Sequence, residues 1–323
     1  MVIRVLRLLA MRGLMGLATL LVVSALIFFS VSLLPGDYAT EILGQSATPE
    51  IVARFRHELG FDEPVLQRYV TWLLNLARGD LGQSYASLTG NPRLVSDIIG
   101  VRLFNSLFLA GVTALVAVPF AVGLGILAAR FRGSWLDRLL NSTTMAAVSC
   151  PEFFLAYLLM LLLAVNFNLF YALSTVSPDM DFLARLQRVA LPVMTLTLII
   201  TAHMMRMTRT AVLDVLANPY IEMARCKGLS KSRILLHHAL PNAWAPIVNV
   251  IAFNLSYLVV GVVVVEVAFA YPGIGQTMID AVRSRDVPVI QACALIFAAI
   301  YIVVNLLADA VAIATNPKLM HAR

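Results

Sequence analysis

The sequence predicts an all-α integral membrane protein with six transmembrane helices, and three observations predict this fold class. The chain has 323 residues, of which 60% are hydrophobic and only 13% are charged, whereas about a quarter of the residues in a soluble domain are charged. Apolar windows of about 20 residues, the length of a helix that crosses a bilayer, recur along the chain. Basic residues cluster between alternate windows, which is typical of the cytoplasmic loops of membrane proteins.

Six apolar windows are candidate spans. They cover about 13–34, 103–129, 139–165, 189–205, 244–269 and 289–314. The first window resembles the apolar core of a signal peptide, but it is longer than such a core and ends in Leu-Pro-Gly-Asp rather than at a small-residue cleavage site. We therefore expect it to be retained as span one, within an N-terminal segment over residues 1–34.

The basic residues orient this bundle. With six spans, the segments that carry them fall on one side of the membrane, which should be the cytoplasmic side. Both termini, including a short tail at 315–323, are then cytoplasmic. The net charge of +6 is explained by this topology and implies no nucleic acid partner. The orienting residues are Arg4, Arg7, Arg12, Arg130, Arg132, Arg138, Arg206, Arg209, Arg225, Lys227, Lys231, Arg233, Lys318 and Arg323.

The longest connection, residues 35–102, has no positive excess and is expected on the opposite side of the membrane. Two of its segments, PEIVARFRHELGF and PVLQRYVTWLLNLARG, have apolar residues at helical spacing. Pro49 and Pro64 stand where a helix can begin. We therefore expect a small extracytoplasmic helical layer, followed by a five-helix core over residues 103–314.

Motifs of common enzymes and metal sites do not occur in the sequence. It has no GxxxxGK[ST] phosphate loop, no HExxH zinc helix and no GxSxG nucleophile elbow. His237 and His238 are adjacent and would point about 100° apart on a helix, which makes them a poor chelating pair. The three cysteines imply no disulfide framework. We predict that the chain is not an enzyme and binds no cofactor or metal, so the energy for any active transport must come from another subunit.

Three carboxylates interrupt the apolar windows: Glu152, Glu266 and Asp309. A carboxylate at membrane depth costs about 3 kcal/mol, so it usually faces a cavity or a partner. Glu152 follows Pro151 near the middle of span three. It either lines a translocation path and favours a cationic or amine-bearing solute, or it is protonated or bonded to a nearby hydroxyl. Examples of such hydroxyls are those of Thr143, Thr144 and Ser149.

The other two carboxylates lie nearer the ends of their spans. Glu266 stands about one turn from the outer end of span five and is either a gate in the path or an interfacial anchor. Asp309 lies four residues after Asn305 on one face of span six, which favours a role in helix packing. Small residues at every fourth position of span two let helices approach closely. They are Ala121, Gly125 and Ala129.

The connection 206–243, between spans four and five, has several signals that end or begin helices. Asn218 is a good N-cap and Pro219 suits a first helical position. Gly228 should end that short helix in a left-handed conformation. Ser230 can cap a second helix, which we expect to stop before Pro241. These signals predict two short helices at a rigid elbow parallel to the membrane; the alternative is a basic interfacial loop with no other role.

This connection resembles the cytoplasmic EAA loop of ABC importer permeases. In that motif Glu-Ala-Ala is followed after three residues by Gly and, after nine more, by Ile-x-Leu-Pro. The matching positions are Glu222, Ala224, Gly228, Leu240 and Pro241. Met223 and His238 depart from the motif.

The rest of the chain, in order, resembles the B-type permease of dipeptide, oligopeptide and nickel importers. The matching stretches are Leu33 to Asp37, Glu58 to Pro64, Gly79 to Gly82, Pro272 to Gly275, Arg285 to Pro288, Val304 to Asp309, and Asn316-Pro317. Members of this subfamily often carry an apolar residue where this chain has Glu152, and the 166–188 loop is short for the group. Both departures lie where solute passes, so the solute stays open among peptide, opine-like, glutathione-like and nickel-chelate cargo.

The resemblance implies a type I ABC importer permease fold in a bacterial inner membrane, working by alternating access. It implies as partners a second homologous permease, two cytoplasmic ATPase subunits that bind ATP and Mg, an extracytoplasmic solute-binding protein and membrane lipids. The elbow would be a coupling helix that docks on an ATPase subunit. The residues expected to couple are Tyr220, Ile221, Glu222, Ala224, Gly228, Leu229 and Pro241. Glu152 and Glu266 are expected along the solute path, and Arg225 and Lys227 at lipid phosphates.

Two alternatives stay open on the sequence. The first is a proton-coupled secondary transporter in which Glu152, Glu266 and Asp309 relay protons, although the inverted repeat typical of that class is not evident. The second is a membrane scaffold without transport of its own, which would need neither intramembrane carboxylates nor a rigid elbow.

Overall fold

A computed structural model describes residues 2–32, 48–58, 62–87 and 91–315 of the chain. Regular structure in these ranges is helical, apart from one isolated antiparallel bridge between Gln83 and Leu94. The predicted all-α class is therefore confirmed. The helices are α1 (Val2–Ser32), α2 (Pro49–Glu58), α3 (Val65–Ala77), α4 (Val95–Arg130), α5 (Trp135–Ser149), α6 (Glu152–Asn166), α7 (Phe182–Leu216), α8 (Pro219–Cys226), α9 (Lys231–Ala268), α10 (Ile274–Arg283) and α11 (Val287–Thr315).

The six predicted spans are recovered when α5 and α6 are counted as one bent span. Among the described residues, α4, α7, α9 and most of α1 and α11 are each long and apolar enough to cross a membrane. Helices α7 and α9 are longer than the windows 189–205 and 244–269 that predicted them. A hydropathy window marks only the apolar part of a helix, whose polar ends continue beyond it. Arg206 and Arg209, expected in a loop, therefore lie within α7.

Span three is not the single helix expected over 139–165. Its two halves, α5 and α6, meet at an angle of 105°. Cys150 between them is extended, with φ −88° and ψ 132°, because the residue before a proline avoids the helical region. Pro151 also lacks the N–H that would continue the helix. The prediction of an uninterrupted span three is wrong, and Glu152 is the first residue of a new helix.

The described chain divides into two compact units. Unit 1 contains Met1–Leu14, Leu107–Tyr271 and Tyr301–Arg323. Helix α7 is the most buried of the candidate spans, and within unit 1 it packs along α9 and α5. Its inward side chains, such as Leu196 and Met204, lie in one continuous hydrophobic core. The candidate functional elements belong to this unit.

Helices α4 and α7 approach closely at Gly125. A Cβ atom at this position would lie 2.7 Å from Thr208 Cβ and 2.8 Å from the carbonyl oxygen of Met205. Ala121 and Ala129, one turn to either side, are buried as well. Small side chains let two helix backbones come this close, so the predicted packing role of the row is confirmed.

We expect Gly125→Val to lower the free energy of unfolding by about 2 kcal/mol or more, because overpacking a tight contact costs about 1–3 kcal/mol. Gly123→Val is the matched control on the same helix, since a Cβ at Gly123 meets nothing within 4 Å. Thermal unfolding of the two detergent-solubilised variants measures the difference. Equal midpoints would show that the close approach does not constrain residue 125.

Unit 2 contains Met15–Ser106 and Pro272–Ile300. Its buried core joins α4, α10 and α11. Asp286, in one of the stretches that carried the resemblance, accepts hydrogen bonds from the Ser84 hydroxyl and, at 3.0 Å, from the backbone N–H of Tyr85. Asp286 thus fixes the segment before α4 to the start of α11.

The helical layer expected from the sequence lies in unit 2. Helix α3 begins directly after Pro64, and α2 begins at Pro49. The rings of Tyr69 and Trp72 on α3 pack against Phe28 of α1, with centroids 5.4 and 5.6 Å apart. The two helices therefore form where they were predicted, while their extracytoplasmic position stays a prediction.

Candidate functional site

Helix α8 begins where the sequence predicts, but Asn218 does not cap it with its side chain. Pro219 occupies the first turn, where its missing N–H leaves no bond unmade. The Asn218 amide instead donates to the carbonyl oxygens of Asp214 and Val215, both at 3.1 Å. The predicted side-chain cap is wrong. The amide serves the last turn of α7, whose carbonyl groups have no partners within the helix.

Helix α8 ends at Gly228, as predicted. Gly228 has a φ of +74°, which glycine adopts without steric cost. Its N–H donates to the Arg225 carbonyl at 2.9 Å, and the Leu229 N–H donates to the Ala224 carbonyl at 3.3 Å. These are the two bonds of a Schellman motif. Leu229 then packs on the hydrophobic core, so backbone and side chain both fix the direction of the turn.

Helix α8 has an inner and an outer face. Ile221 and Ala224 are only 0% and 7% exposed and belong to the core of unit 1. Tyr220 and Met223 are 42% and 62% exposed, and Glu222 is exposed beside them. Sequence reasoning missed Met223 because it departs from the EAA motif. Its spacing of three residues from Tyr220, which puts both on one helix face, was the available signal.

The second half of this connection continues directly into span five. Ser230 caps it as predicted, its hydroxyl oxygen accepting the Arg233 N–H at 3.4 Å. The helix then makes a π-helical turn over Ile234–Ala239 and runs on to Ala268. The expected stop before Pro241 is therefore wrong. The wide turn directly upstream accommodates a residue that has no N–H and whose ring crowds the preceding turn of a normal helix.

We refer to residues 218–243 as the coupling segment. Helix α8 packs against the π-helical turn of α9, and the Tyr220 hydroxyl donates to the His238 carbonyl at 3.4 Å. Asn218 ties the segment to α7 on one side, and continuous helix joins it to α9 on the other. The coupling segment is therefore a rigid connection between two long apolar helices.

A cleft of about 380 Å³ beside α8 has a basic lining. Within the described part of the chain, none of its charged side chains forms an ion pair. Apolar side chains of α7 and α9 line the remainder. The excess of positive charge is thus open to an external anion. The charged lining residues are Arg130, Arg132, Glu222, Arg225 and Lys231.

A buried ion pair fixes α5 to α7 near the coupling segment. The Nε and Nη2 atoms of Arg209 donate to the Asp137 carboxylate at 2.7 and 2.8 Å. Asp137 also accepts the backbone N–H of Gly133 at 2.9 Å and the Asn141 amide at 2.8 Å. A bidentate, charge-assisted contact of this kind fixes both position and orientation.

Sequence reasoning missed Asp137, although a local signal was present. The stretch Ser134-x-x-Asp137 has the spacing of a capping box. The Ser134 hydroxyl accepts the Asp137 N–H at 3.3 Å, and this cap starts α5. The signal identifies the start of a helix, but it does not identify Arg209, which lies 72 residues away.

Glu152 lies in a cleft of about 330 Å³ at the Pro151 break. We call it the Glu152 cleft; its polar lining also includes Ser149, His203 and Tyr257. The Tyr257 hydroxyl donates to Glu152 Oε1 at 2.9 Å. The His203 and Tyr257 rings lie 5.6 Å apart, centroid to centroid. Four helices, α5, α6, α7 and α9, supply these groups.

The hydroxyl bonded to Glu152 is none of the three expected. Thr143, Thr144 and Ser149 donate to carbonyl oxygens of their own helix, as hydroxyls within helices often do. A hydroxyl does bond Glu152, as one alternative expected, but the three residues given as examples are wrong. The partner, Tyr257, lies 105 residues away, and no local pattern connects the two.

Glu266 is not part of the Glu152 cleft. It is fully buried and follows Tyr257 by nine residues on α9, about 13 Å along the helix axis. Tyr271 shares its surroundings: burial, together with the Glu266 charge, raises the pKa of the Tyr271 hydroxyl. The path role expected for Glu266 stays a prediction.

Asp309 pairs with Arg12, which joins α11 to α1. The contact agrees with the packing role predicted for Asp309. Glu152 bonds to Tyr257 and Glu266 lies beside Tyr271. The three carboxylates that a proton relay would connect thus have separate neighbours.

Long apolar helices joined by a polar connection that is fixed at both ends define the class of integral membrane proteins. The sequence profile of the family described as "Binding-protein-dependent transport system inner membrane component" matches residues 121–321. The profile of the N-terminal region of such membrane components matches residues 5–91. The chain belongs to this family, and the predicted importer permease class is confirmed.

Curated relatives include the glutathione transport system permease protein GsiC of Salmonella paratyphi A and that of Escherichia coli K12. They are 36% identical to this chain over 312 and 311 residues, which is 96% of this chain and 98% of each relative. Among solved structures, the inward-facing MetNI methionine ABC transporter covers 68% of this chain and 96% of its own, with a TM-score of 0.57 and 17% identity. This likeness shows the predicted fold, that of an ABC transporter membrane subunit.

Proposed function

We propose that this chain forms half of the translocation path of an ATP-driven importer of peptides or related small solutes. It pairs with a second, homologous permease, receives solute from an extracytoplasmic binding protein and is driven by two ATPase subunits that bind ATP and Mg. The chain itself catalyses no reaction. Peptide-like cargo is favoured because the relatives named above belong to glutathione transport systems.

The observation that carries this proposal is that hydrogen bonds and continuous helix fix the coupling segment to both α7 and α9. A closing ATPase pair can move transmembrane helices only through a connection that does not absorb the motion. Helix α8 is held to α7 by Asn218, is closed by the Schellman motif at Gly228, and leads into α9 without a break. Such a connection transmits a displacement of α8 to both long helices.

The residues of the coupling segment have three different proposed roles: contact with the ATPase, anchoring of α8, and the shape of the segment. We assign ATPase contact to Tyr220, Glu222 and Met223, which are exposed. Ile221, Ala224 and Leu229 anchor α8 to the core behind it. Gly228 and Pro241 set the shape of the segment.

The topology proposed is the one that basic residues favour, with both termini cytoplasmic in a bacterial inner membrane. Arg12 lies near the start of the apolar part of α1 and pairs with Asp309 near the end of α11, so the two residues occupy the same membrane level. The basic cleft beside α8 suits lipid phosphates on that side. Arg225 and Lys227 are both exposed, and we propose that they also contact lipid phosphates on the cytoplasmic side.

The solute path proposed for this chain includes Glu152. Its cleft is open and lies at a helix break, where irregular backbone in a membrane protein typically lines a cavity. Glu266 is proposed to act on the path indirectly, from its buried position at the end of α9.

Copurification and reconstitution test the function. We expect the tagged chain to isolate with a second permease and two ATPase subunits. In proteoliposomes, uptake of a dipeptide should require ATP and persist when a protonophore collapses the proton gradient. Uptake that survives ATP depletion and stops with the protonophore would establish the secondary-transporter alternative. A chain that isolates without ATPase subunits would support the scaffold.

A further inference from the structure

We propose that the Glu152 cleft binds the primary ammonium group of the transported solute, through Glu152 Oε2, while Tyr257 holds the carboxylate in place. This inference rests on the proposed importer function. It names the chemical group of the solute that the cleft selects.

Glu152 has an incomplete set of partners. Its one hydrogen bond in the described chain is the bond from Tyr257 to Oε1, and no Lys, Arg or His of the described chain forms an ion pair with it. A carboxylate offers about four acceptor sites on its two oxygens. A carboxylate in a span usually faces a partner or a cavity, because its burial is costly. Here a cavity is present, and among the described residues no cation forms an ion pair with the carboxylate, although the His203 ring lies in the same cleft.

The geometry around the carboxylate is fixed from two sides. The Tyr257 hydroxyl holds Oε1, and the His203 ring lies against the Tyr257 ring. One turn after Tyr257 stands Gly261, where a Cβ would lie 3.6 Å from Oε2 and 3.9 Å from Oε1. The same Cβ would also lie 3.5 Å from Leu196 Cδ2, so Gly261 lets the backbone of α9 approach the carboxylate closely.

The acceptor sites that remain on the Glu152 carboxylate favour an ammonium group over a guanidinium group. A guanidinium binds a carboxylate with two parallel hydrogen bonds and needs both oxygens. Tyr257 occupies one of the two acceptor sites on Oε1, whereas Oε2 accepts no hydrogen bond within the described chain, and this uneven arrangement suits the compact point charge of an ammonium group. The Tyr257 ring also lines the cleft, and the face of a tyrosine ring attracts a cation. A cleft of about 330 Å³ holds an amino terminus and its adjoining residue rather than a whole peptide.

Cysteine protection in the intact complex tests this inference independently of transport. Cys150 is exposed and lines the Glu152 cleft, whereas Cys226 is exposed on α8 and serves as the internal control. The probes are alanyl-alanine and its N-acetyl derivative, and the readout is the rate of maleimide labelling at each cysteine, with and without ATP. We expect alanyl-alanine to slow labelling of Cys150 but not of Cys226, and the acetylated peptide to slow neither.

Variants assign the effect to individual atoms. Glu152→Gln should raise the dipeptide concentration for half protection about tenfold or more, because a hydrogen bond to a charged group is lost. Tyr257→Phe should raise it about fivefold, because the carboxylate loses the hydroxyl that positions it. Tyr157→Phe is the matched control, since that hydroxyl on α6 is exposed and makes no hydrogen bond within the described chain.

Several results would overturn the inference. They are equal protection by the two peptides, full protection in Glu152→Gln, an absence of protection, and a Cys150 that never reacts, which would mean a cleft closed to solute. ATP-driven uptake measured in the same vesicles separates this inference from the proposed function. If uptake persists while protection fails, the importer stands and the ammonium site does not.

Discussion

Gly228→Val should uncouple the importer while leaving the chain folded and inserted. Valine is β-branched and resists the φ of +74° that residue 228 adopts, so the Schellman bonds that close α8 are lost or strained. A left-handed residue other than glycine costs about 1–2 kcal/mol, so the native end of α8 becomes about tenfold less populated. We expect uptake in proteoliposomes to fall at least about tenfold, because the outer face of α8 no longer presents Tyr220 and Met223 in one orientation.

Two controls separate coupling from general strain. Gly228→Asn should retain uptake, since asparagine tolerates the left-handed region and also ends helices in this way. Gly79→Val applies the same strain elsewhere: Gly79 has a φ of +82°, and a Cβ there, as at Gly228, meets nothing within 4 Å. We expect ATPase subunits to copurify with Gly79→Val but not with Gly228→Val. Unchanged uptake in Gly228→Val would remove the coupling role from this turn.

Asp137→Asn should destabilise the chain by about 3 kcal/mol or more, because it leaves the part-buried Arg209 without its counter-charge. The exchange Asp137→Arg with Arg209→Asp should recover part of this loss. Recovery cannot be complete, since an arginine at position 137 cannot accept the hydrogen bonds that Gly133 and Asn141 donate to Asp137. Thermal unfolding of the single and double variants measures the coupling between the two charges.

The Arg12–Asp309 pair is the matched control for this experiment. Its side chains are 53% and 29% exposed, against 21% and 6% for Arg209 and Asp137. An exposed ion pair contributes about 0–1 kcal/mol, so Asp309→Asn should change the unfolding midpoint little. If Asp137→Asn were as mild as Asp309→Asn, the link between α5 and α7 would not be structural. If the link is structural, it joins α7 to α5. Helix α7 leads to the coupling segment, and α5 ends at the Glu152 cleft.

The sequence predicted where helices begin and end better than it predicted which residues contact one another across helices. Gly228 and Ser230 were identified correctly because the bonds that close or open a helix join residues a few positions apart. Asn218 shows the limit of such reasoning. Its side chain lies between the end of α7 and the start of α8 and could bond to backbone groups of either helix, and the sequence does not tell which of them it bonds to. The effect of Pro241 was predicted wrongly, because the π-helical turn before it lets the helix continue through the proline. No short sequence pattern predicts such a turn.

The sequence by itself determined the all-α membrane class, the six apolar segments, the family and the turn at Gly228. Hydropathy, helix caps and motif spacing are properties of neighbouring residues, so they can be read along the chain. Only the tertiary structure decided that Ile221 and Ala224 face inward, that Tyr257 holds Glu152 and that Asp137 pairs with Arg209. Those contacts join residues that are distant in the chain, and they exist only because packing around α7 brings the helices together.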